Sequence, residues 1–149
     1  MIKKFLIINL ILFIFFLANS YSDNNTYMSL KNNKVNVRYG PGLDYPIKFV
    51  FNKKNYPVEI IDQKENFRKI LDFKKNSGWI HRSQLKKRSS FITLETVILF
   101  SDSTKFSRPI AKIELGRLLN KKKCNLNWCR VETGEYKGWV LKESLWGLN

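Results

Sequence analysis

Few residues in this chain have side chains that could perform covalent chemistry. Its 149 residues include one histidine, His81, and two cysteines, Cys124 and Cys129. Hydrolysis by a cysteine–histidine pair needs a free thiolate beside a base, but here the cysteines lie close together and far from the histidine in sequence. The chain has no Gly-rich phosphate loop and no motif typical of a Ser–His–Asp set. We therefore expect a protein that is not an enzyme and that uses no cofactor.

The spacing of the two cysteines favours a disulfide. Four residues separate Cys124 from Cys129, and the first three of them, Asn-Leu-Asn over 125–127, are typical of a hairpin turn. In an oxidising compartment, a disulfide across such a hairpin is the expected state. In the chain-entropy model, closing so short a loop stabilises the fold by about 2 kcal/mol. A metal site is not expected, because the one histidine belongs to the other half of the chain.

The N-terminal residues indicate export. Lys3 and Lys4 precede an apolar stretch over 5–17, and Ala18 and Ser20 supply small residues where a signal peptidase could cut. We predict a signal peptide over residues 1–22 and a periplasmic or extracellular product. The apolar stretch is shorter than the ~20 residues of a membrane-spanning helix, so membrane attachment is expected only if the signal stays uncleaved as an anchor.

The basic composition, with a net charge of +15, limits the choice of partner. Such a charge could indicate nucleic-acid binding, but the excess is spread along the chain and an exported protein rarely meets nucleic acid. No nucleic-acid partner is therefore expected. Only Lys86–Arg88 and Lys121–Lys123 form tight clusters, and such clusters are usually solvated loop or edge residues. Attraction to an anionic polymer or surface outside the cytoplasm is physically reasonable.

The elements that must position any site follow a repeat. Gly78–Trp79 and Gly138–Trp139 are each followed by a leucine, Leu85 or Leu145, and the two copies lie about sixty residues apart. A turn and several apolar runs rich in β-branched and aromatic residues precede each copy. No segment after the signal shows sustained helical periodicity. The sequence predicts an all-β chain of two small units, each with about five short strands.

These patterns divide the chain into segments. Residues 23–34 are polar and Asn-rich and predict a flexible lead-in, with a short first strand near 27–30. The first unit is expected over 35–85, a basic linker over 86–90 and the second unit over 91–149. In the second unit, strands over 118–124 and 128–133 form the hairpin that carries the cysteines.

Motifs at the start and end of each unit are specific when taken together. The first unit opens with Val-Asn-Val-Arg-Tyr-Gly-Pro-Gly over 35–42 and closes with Gly78–Ile80. The second contains Cys124, Trp-Cys-Arg-Val over 128–131, Gly-Trp-Val over 138–140, and Leu145–Gly147. The first unit resembles the bacterial SH3-like (SH3b, Src-homology-3) family of exported and wall-associated proteins. The second resembles the tandem partner of the alphaproteobacterial exported type.

The resemblance implies two tandem SH3-like barrels after a signal peptide and, for many members, recognition of cell-wall peptides or other extracytoplasmic ligands. The expected function is thus an exported, non-catalytic binding module that recognises peptidoglycan or a cell-wall peptide in the envelope. The alternative is a periplasmic protein–protein adaptor with no affinity for the wall, so the partner is a cell-wall polymer or an envelope protein. Leu-Phe-Ser-Asp-Ser over 99–103 replaces the opening motif in the second unit. If that loop binds ligand, the second unit has lost the role.

Candidate ligand-binding residues lie in the first unit. An aromatic floor with a charged rim would suit a short peptide, and the planar fork of an arginine could hold a carboxylate. The alternative is that 39–42 is only a tight turn and that the tryptophan only packs in the core. The candidates are Arg38, Tyr39, Asp44, Tyr45 and Trp79.

Further aromatic residues and the histidine have weaker patterns. Trp128, Arg130 and Trp146 could form a similar face in the second unit, with the first two sharing one strand face because strand neighbours alternate. The alternative is that Trp128 packs beside the disulfide hairpin. His81 shares the strand face of Trp79 and is expected to be a surface residue or a hydrogen-bonded neighbour.

Overall fold

A computed structural model describes residues 26–148, so the predicted signal peptide over 1–22 lies outside the described residues. Within 26–148 no helix is long and apolar enough to span a bilayer. The first half consists of β1 (Thr26–Leu30), β2 (Val35–Arg38), β3 (Ile47–Phe51), β4 (Pro57–Lys64), β5 (Phe67–Leu71), β6 (Ser77–His81), the 3-10 turn η1 (Arg82–Gln84) and β7 (Leu85–Lys87). The second half consists of β8 (Ser90–Thr93), β9 (Val97–Phe100), β10 (Pro109–Ile113), β11 (Leu118–Cys124), β12 (Trp128–Thr133), β13 (Tyr136–Leu141), the 3-10 turn η2 (Lys142–Ser144) and β14 (Leu145–Trp146).

The strands form two antiparallel sheets with one topology. The first has the order β3-β2-β6-β5-β4-β1-β7 and the second β10-β9-β13-β12-β11-β8-β14. The second order is the first with seven added to every label, so the repeat seen in the sequence is also a repeat of the fold. The predictions of an all-β chain and of two tandem units are confirmed. Each sheet has seven strands rather than about five, because short strands at its edge extend it.

Strand β1 occupies part of the segment that the sequence predicts to be a flexible lead-in. It pairs with both β4 and β7, and Leu30 is fully buried in the first core. The polar composition of the segment hides this strand, because alternation requires only Met28 and Leu30 to face inward. The short strand anticipated near 27–30 is therefore present, and the first sheet begins before residue 35.

The segment predicted to be a basic linker is also largely built into the sheets. Strand β7 ends at Lys87 and β8 begins at Ser90. The backbone N–H of Ser89 donates to Ser29 Oγ at 3.0 Å, and the fully buried Ser90 hydroxyl lies 3.3 Å from the same oxygen. The basic composition does not predict this, because the contacts that hold the segment are made by backbone groups and small hydroxyl groups. A search for apolar patterns detects neither.

The two barrels contact each other directly. The ring of Tyr27 meets Trp146 edge-on, with centroids 5.2 Å apart, and Asn55 Nδ2 donates to Asn120 Oδ1 at 3.0 Å. Each barrel has only a small core of its own, so this packing adds stability to units that are marginal in size. The two cores contain Leu30, Val35, Val37, Val58, Ile70, Ile80 and Leu85 in the first barrel, and Phe91, Val97, Leu99, Ile113, Leu119, Cys129, Val131, Val140 and Leu145 in the second.

The paired Gly-Trp motif reflects close backbone contact where each barrel closes. Strand β6 meets β2, and β13 meets β9, at one bridging pair each. A Cβ atom on Gly78 would lie 2.9 Å from the carbonyl oxygen of Arg38, and one on Gly138 would lie 2.9 Å from that of Phe100. Backbone atoms cannot move aside as a flexible side chain can, so these positions require glycine.

Gly78→Ala and Gly138→Ala should each lower the free energy of unfolding by about 1–3 kcal/mol, because the added methyl group overpacks the closing strands. The measurement is urea unfolding followed by tryptophan fluorescence. Gly134→Asn is the control, since Gly134 has φ +55° with nothing within 4 Å of a Cβ and asparagine tolerates that backbone conformation. Equal stability of the wild type and both alanine variants would contradict this explanation of the motif.

The predicted disulfide joins Cys124 and Cys129 across the β11–β12 hairpin, where the two residues are directly paired. Asn125 Oδ1 closes the turn by accepting the backbone N–H of Trp128 at 2.8 Å. Reduction should lower the free energy of unfolding by about 2 kcal/mol, because the unfolded chain regains the conformational entropy that closure of this short loop had removed. Chemical denaturation with and without dithiothreitol measures this. A Cys124→Ala/Cys129→Ala variant should not respond to the reductant; if it responds as the wild type does, the effect has another origin.

Candidate functional site

A shallow pocket of about 250 Å³ opens on the outer face of the first barrel beside Arg38. Val35 and Val37 on β2 point into the core, so the alternating residues of this strand point outward and form one wall. The other walls come from β5, the end of β6 and η1. We call this pocket groove 1; its lining residues are Lys34, Asn36, Arg38, Leu43, Phe67, His81 and Gln84.

Hydrogen bonds orient the polar groups on the η1 side of groove 1. His81 Nδ1 accepts the backbone N–H of Ser83 at 3.3 Å and lies 2.7 Å from Ser83 Oγ, and its ring stands edge-on to Phe67 at 5.2 Å. A neutral imidazole whose Nδ1 accepts carries its proton on Nε2. Gln84 Oε1 accepts from Asn32 Nδ2 at 2.8 Å, so the Gln84 NH₂ group is the part of this amide that can donate to a ligand. Groove 1 therefore holds oriented donors.

Arg38 connects groove 1 with the loop that follows β2. Its Nη1 donates to the carbonyl oxygen of Tyr45 at 2.7 Å, which uses one of five guanidinium N–H groups. The backbone N–H of Tyr39 donates to the oxygen of Pro46 at 3.2 Å, so the two ends of the loop are held together. Arg38 has both a structural role, in holding this loop, and a position at the groove.

The loop over 39–46 presents large side chains to solvent. Tyr39 is 63% exposed and Leu43 72% exposed, and Lys48 Nζ lies 5.6 Å from the centre of the Tyr39 ring. The Tyr45 ring packs so closely on Gly40 that a Cβ atom there would overlap it. The Gly-Pro-Gly turn thus lets an aromatic ring pack against the loop backbone while other apolar groups face outward, an arrangement typical of binding surfaces.

The structure brings the predicted site residues near one another without gathering all of them into groove 1. Arg38 lines the groove, while Tyr39, Asp44 and Tyr45 lie on the adjacent exposed loop. Trp79 is half-buried on the outer face of β6, directly opposite Arg38 in cross-strand register, but it does not line the groove. Sequence reasoning did not single out Lys34, Asn36 and Gln84 and gave His81 only a surface role. Residues 34, 36 and 38 alternate with the apolar Val35 and Val37, and this pattern in the sequence could have indicated that Lys34 and Asn36 face outward beside Arg38.

The second barrel has a pocket of about 220 Å³ at the equivalent place, which we call groove 2. The register identifies equivalent residues, because Phe67 pairs with His81 in the first sheet as Trp128 pairs with Leu141 in the second. In groove 2, Asn36 is replaced by Ile98, Arg38 by Phe100, Phe67 by Trp128, His81 by Leu141 and Gln84 by Ser144. The matching positions are therefore more polar in groove 1 than in groove 2, although Glu95, Thr96 and Lys105 also line groove 2.

The aromatic residues considered in the second barrel separate in space. Trp128 is buried and meets the Phe100 ring edge-on at 5.9 Å, so it packs as the alternative interpretation expected. Arg130 is exposed beside Trp139, its cross-strand neighbour. Trp146 lies at the contact between the barrels and packs on Tyr27. These three residues do not form one binding face.

The geometry of groove 1 suits binding rather than covalent chemistry. Both cysteines of the chain are bonded to each other in the second barrel, so neither supplies a thiolate beside His81. His81 and Ser83 are two residues apart, and their contact caps the turn η1. The polar residues that line groove 1 offer cationic and amide groups for a ligand with carboxylate and carbonyl oxygens.

The fold defines a class of protein, a tandem pair of small β-barrels, each with a shallow pocket at the same place. The model of the family described as bacterial SH3 domain matches the chain twice, over residues 31–87 and 95–147. The chain belongs to this bacterial SH3 domain family and contains two copies of its domain. No curated protein is significantly similar to the chain in sequence.

Solved structures show more distant similarity. NlpC2 from Trichomonas vaginalis is 16% identical with a TM-score of 0.38, over 83% of this chain and 48% of that one. NlpC1 from the same organism has the same identity and TM-score, over 86% and 48%. An NlpC/P60 family protein from Bacillus cereus is 12% identical with a TM-score of 0.39, over 80% and 55%. This chain spans about half the length of these proteins, and similarity this low says nothing about its ligand.

Arg38→Ala should lower the free energy of unfolding by about 1 kcal/mol, the net value of one hydrogen bond, because the carbonyl oxygen of Tyr45 loses its donor. Urea unfolding measures the change. Arg117→Ala is the control, since this exposed arginine lies outside both grooves and should change stability little. A loss of about 3 kcal/mol or more would mean that Arg38 is mainly a structural clamp.

Proposed function

We propose that this protein is an exported, non-catalytic binding module whose groove 1 recognises a short peptide of the cell wall. The observation that carries the proposal is the lining of groove 1. Five of its side chains are cationic, imidazole or amide groups: Lys34, Asn36, Arg38, His81 and Gln84. Three of the five matching positions in groove 2 are apolar or aromatic (Ile98, Phe100 and Leu141), and the other two carry only the small hydroxyl groups of Thr96 and Ser144. This concentration of polar groups at one of two equivalent pockets supports a polar ligand for groove 1.

The chemistry of groove 1 matches a peptide that carries a carboxylate. Arg38 and Lys34 can form charge-assisted hydrogen bonds with carboxylate oxygens, which are stronger than neutral ones. The His81 imidazole and the Gln84 amide can donate to peptide carbonyl groups. At about 250 Å³ the groove is below the roughly 300–1,000 Å³ typical of sites that enclose a drug-sized ligand. It therefore suits the end of a peptide better than a bulky ligand.

Features outside groove 1 support three other parts of the proposal: apolar contact with the peptide, export, and attraction to the cell wall. The exposed side chains of Tyr39 and Leu43 provide apolar contact area beside the groove. A disulfide in a small β-barrel is typical of proteins that work in an oxidising compartment, and many bacterial SH3-like domains bind extracytoplasmic ligands. The net charge of +15 would attract the protein to an anionic wall polymer.

The proposal is tested by sedimentation of the purified protein with peptidoglycan. Arg38→Ala should weaken binding by about tenfold, the effect of losing a charge-assisted contact of about 1.4 kcal/mol, while Arg117→Ala should leave it unchanged. Lys34→Gln and Lys31→Gln form a second matched pair. Both remove one exposed positive charge from the same turn, but only Lys34 lines groove 1. Lys34→Gln alone should weaken binding.

Two results would overturn the proposal. If the protein does not sediment with peptidoglycan at low salt, it has no affinity for the wall, and the alternative adaptor function is then tested by crosslinking to envelope proteins in cells. If all four variants bind alike and binding disappears at physiological salt, sedimentation reflects only bulk charge.

A further inference from the structure

The two tight basic clusters in the sequence, Lys86–Arg88 and Lys121–Lys123, contribute to the same cleft. A space of about 380 Å³ lies between the barrels, with walls from β1, from the end of β7 and the residue after it, and from β11. We call it the inter-barrel cleft. It is separate from groove 1 and is lined by Thr26, Tyr27, Met28, Lys87, Arg88 and Lys121.

Backbone contacts fix the positions of these cations. Strand β7 pairs with β1 so that Lys87 lies opposite Met28. The carbonyl oxygen of Ser89 accepts the backbone N–H of Lys121 at 2.9 Å, which fastens β11 of the second barrel to the chain segment beside Arg88. The basic groups therefore share the cleft because the fold places them there, although they are distant in sequence.

Side-chain contacts distinguish Lys121 from its neighbours in the second cluster. Lys122 forms an ion pair with Glu132, and Lys123 Nζ lies 5.5 Å from the centre of the Trp139 ring. Only Lys121 of this cluster lines the cleft. Arg88 is fixed as part of the wall, because its Nη1 donates to the carbonyl oxygen of Gly147 at 2.9 Å.

The cations of the cleft repel one another. The pKa of Lys121 is lowered, first by partial burial and then by the positive charges of Arg88, Lys87 and Lys142. Burial also lowers the pKa of Arg88. Among residues 26–148, no carboxylate lines the cleft. The fold thus keeps like charges together at a cost in free energy, and a multivalent anion would offset that cost.

We propose that the inter-barrel cleft binds a phosphate group, with the ammonium groups of Lys87 and Lys121 as its principal contacts. A phosphate monoester carries a charge of about −1.5 to −2 at neutral pH and three acceptor oxygens. It can therefore meet cations that approach from different strands, whereas a carboxylate carries one charge in one plane. The phosphate can belong to an anionic lipid headgroup or to a soluble or wall-borne phosphoryl group.

Calorimetric titration with inorganic pyrophosphate tests the site on the purified protein. We expect saturable binding that Lys121→Gln weakens by about tenfold and that Lys122→Gln leaves unchanged. This control removes the same charge from the next residue, which lies outside the cleft. Arg38→Ala should also bind pyrophosphate normally, which separates this site from groove 1. Absence of saturable binding, or equal loss in both lysine variants, overturns the proposal.

A thermal measurement without ligand gives an independent result. Lys121→Gln should raise the Tm, because it removes a partly buried cation from among like charges. Lys122→Gln should not raise it, since this change breaks the ion pair with Glu132. If Lys121→Gln instead lowers the Tm more than Lys122→Gln does, Lys121 has a structural role and the proposal is wrong.

Flotation with vesicles identifies the source of the phosphate. If vesicles of phosphatidylglycerol in phosphatidylcholine bind the wild type and Lys122→Gln better than Lys121→Gln, the cleft binds a lipid headgroup. Pyrophosphate binding without such flotation supports the cleft with a soluble or wall-borne phosphoryl group as its ligand.

Discussion

The closing contact of each barrel, where β6 meets β2 and β13 meets β9, depends on a backbone approach that only glycine permits. At Gly78 and Gly138 a single methyl group would overlap the carbonyl oxygen of the opposite strand. This contact brings the outward residues of β2 beside those of β6 and creates the space that becomes groove 1. The adjacent tryptophans follow on the outer face, where they cover the junction and do not fill the core. A constraint on backbone distance thus determines which outward residues meet beside the closing contact.

The repeated fold has pockets at equivalent places in its two barrels, and their lining residues differ in chemistry. Groove 1 is lined mainly by cationic, imidazole and amide groups, and at three of the same positions groove 2 has the apolar or aromatic side chains of Ile98, Phe100 and Leu141. The difference can be traced to single positions, such as Arg38 against Phe100 and His81 against Leu141. Because the register of the two sheets is the same, the divergence lies in side chains alone, and the two barrels need not share a ligand.

At the junction between the barrels, as in groove 1, tertiary structure brings together polar side chains that are distant in sequence. Small hydroxyl groups such as Ser29 allow the strands of the two barrels to approach closely, and the ring of Trp146 packs on Tyr27 across the boundary. The same approach places Lys121 beside the basic residues after β7. Bringing cations together in this way opposes folding, and this cost is the basis of the phosphate site proposed for the inter-barrel cleft.

The sequence by itself determined the class of fold, the repeat and the local elements of this protein. The hairpin strands over 118–124 and 128–133 and the Cys124–Cys129 bond follow from local alternation and spacing, which act over a few residues. The pairing of β1 with both β4 and β7, the membership of groove 1 and the inter-barrel cleft were decided only by tertiary structure. Alternation tells which side chains face outward, but which outward residues of distant strands meet depends on strand order. That order is set by long-range packing and not by any local pattern.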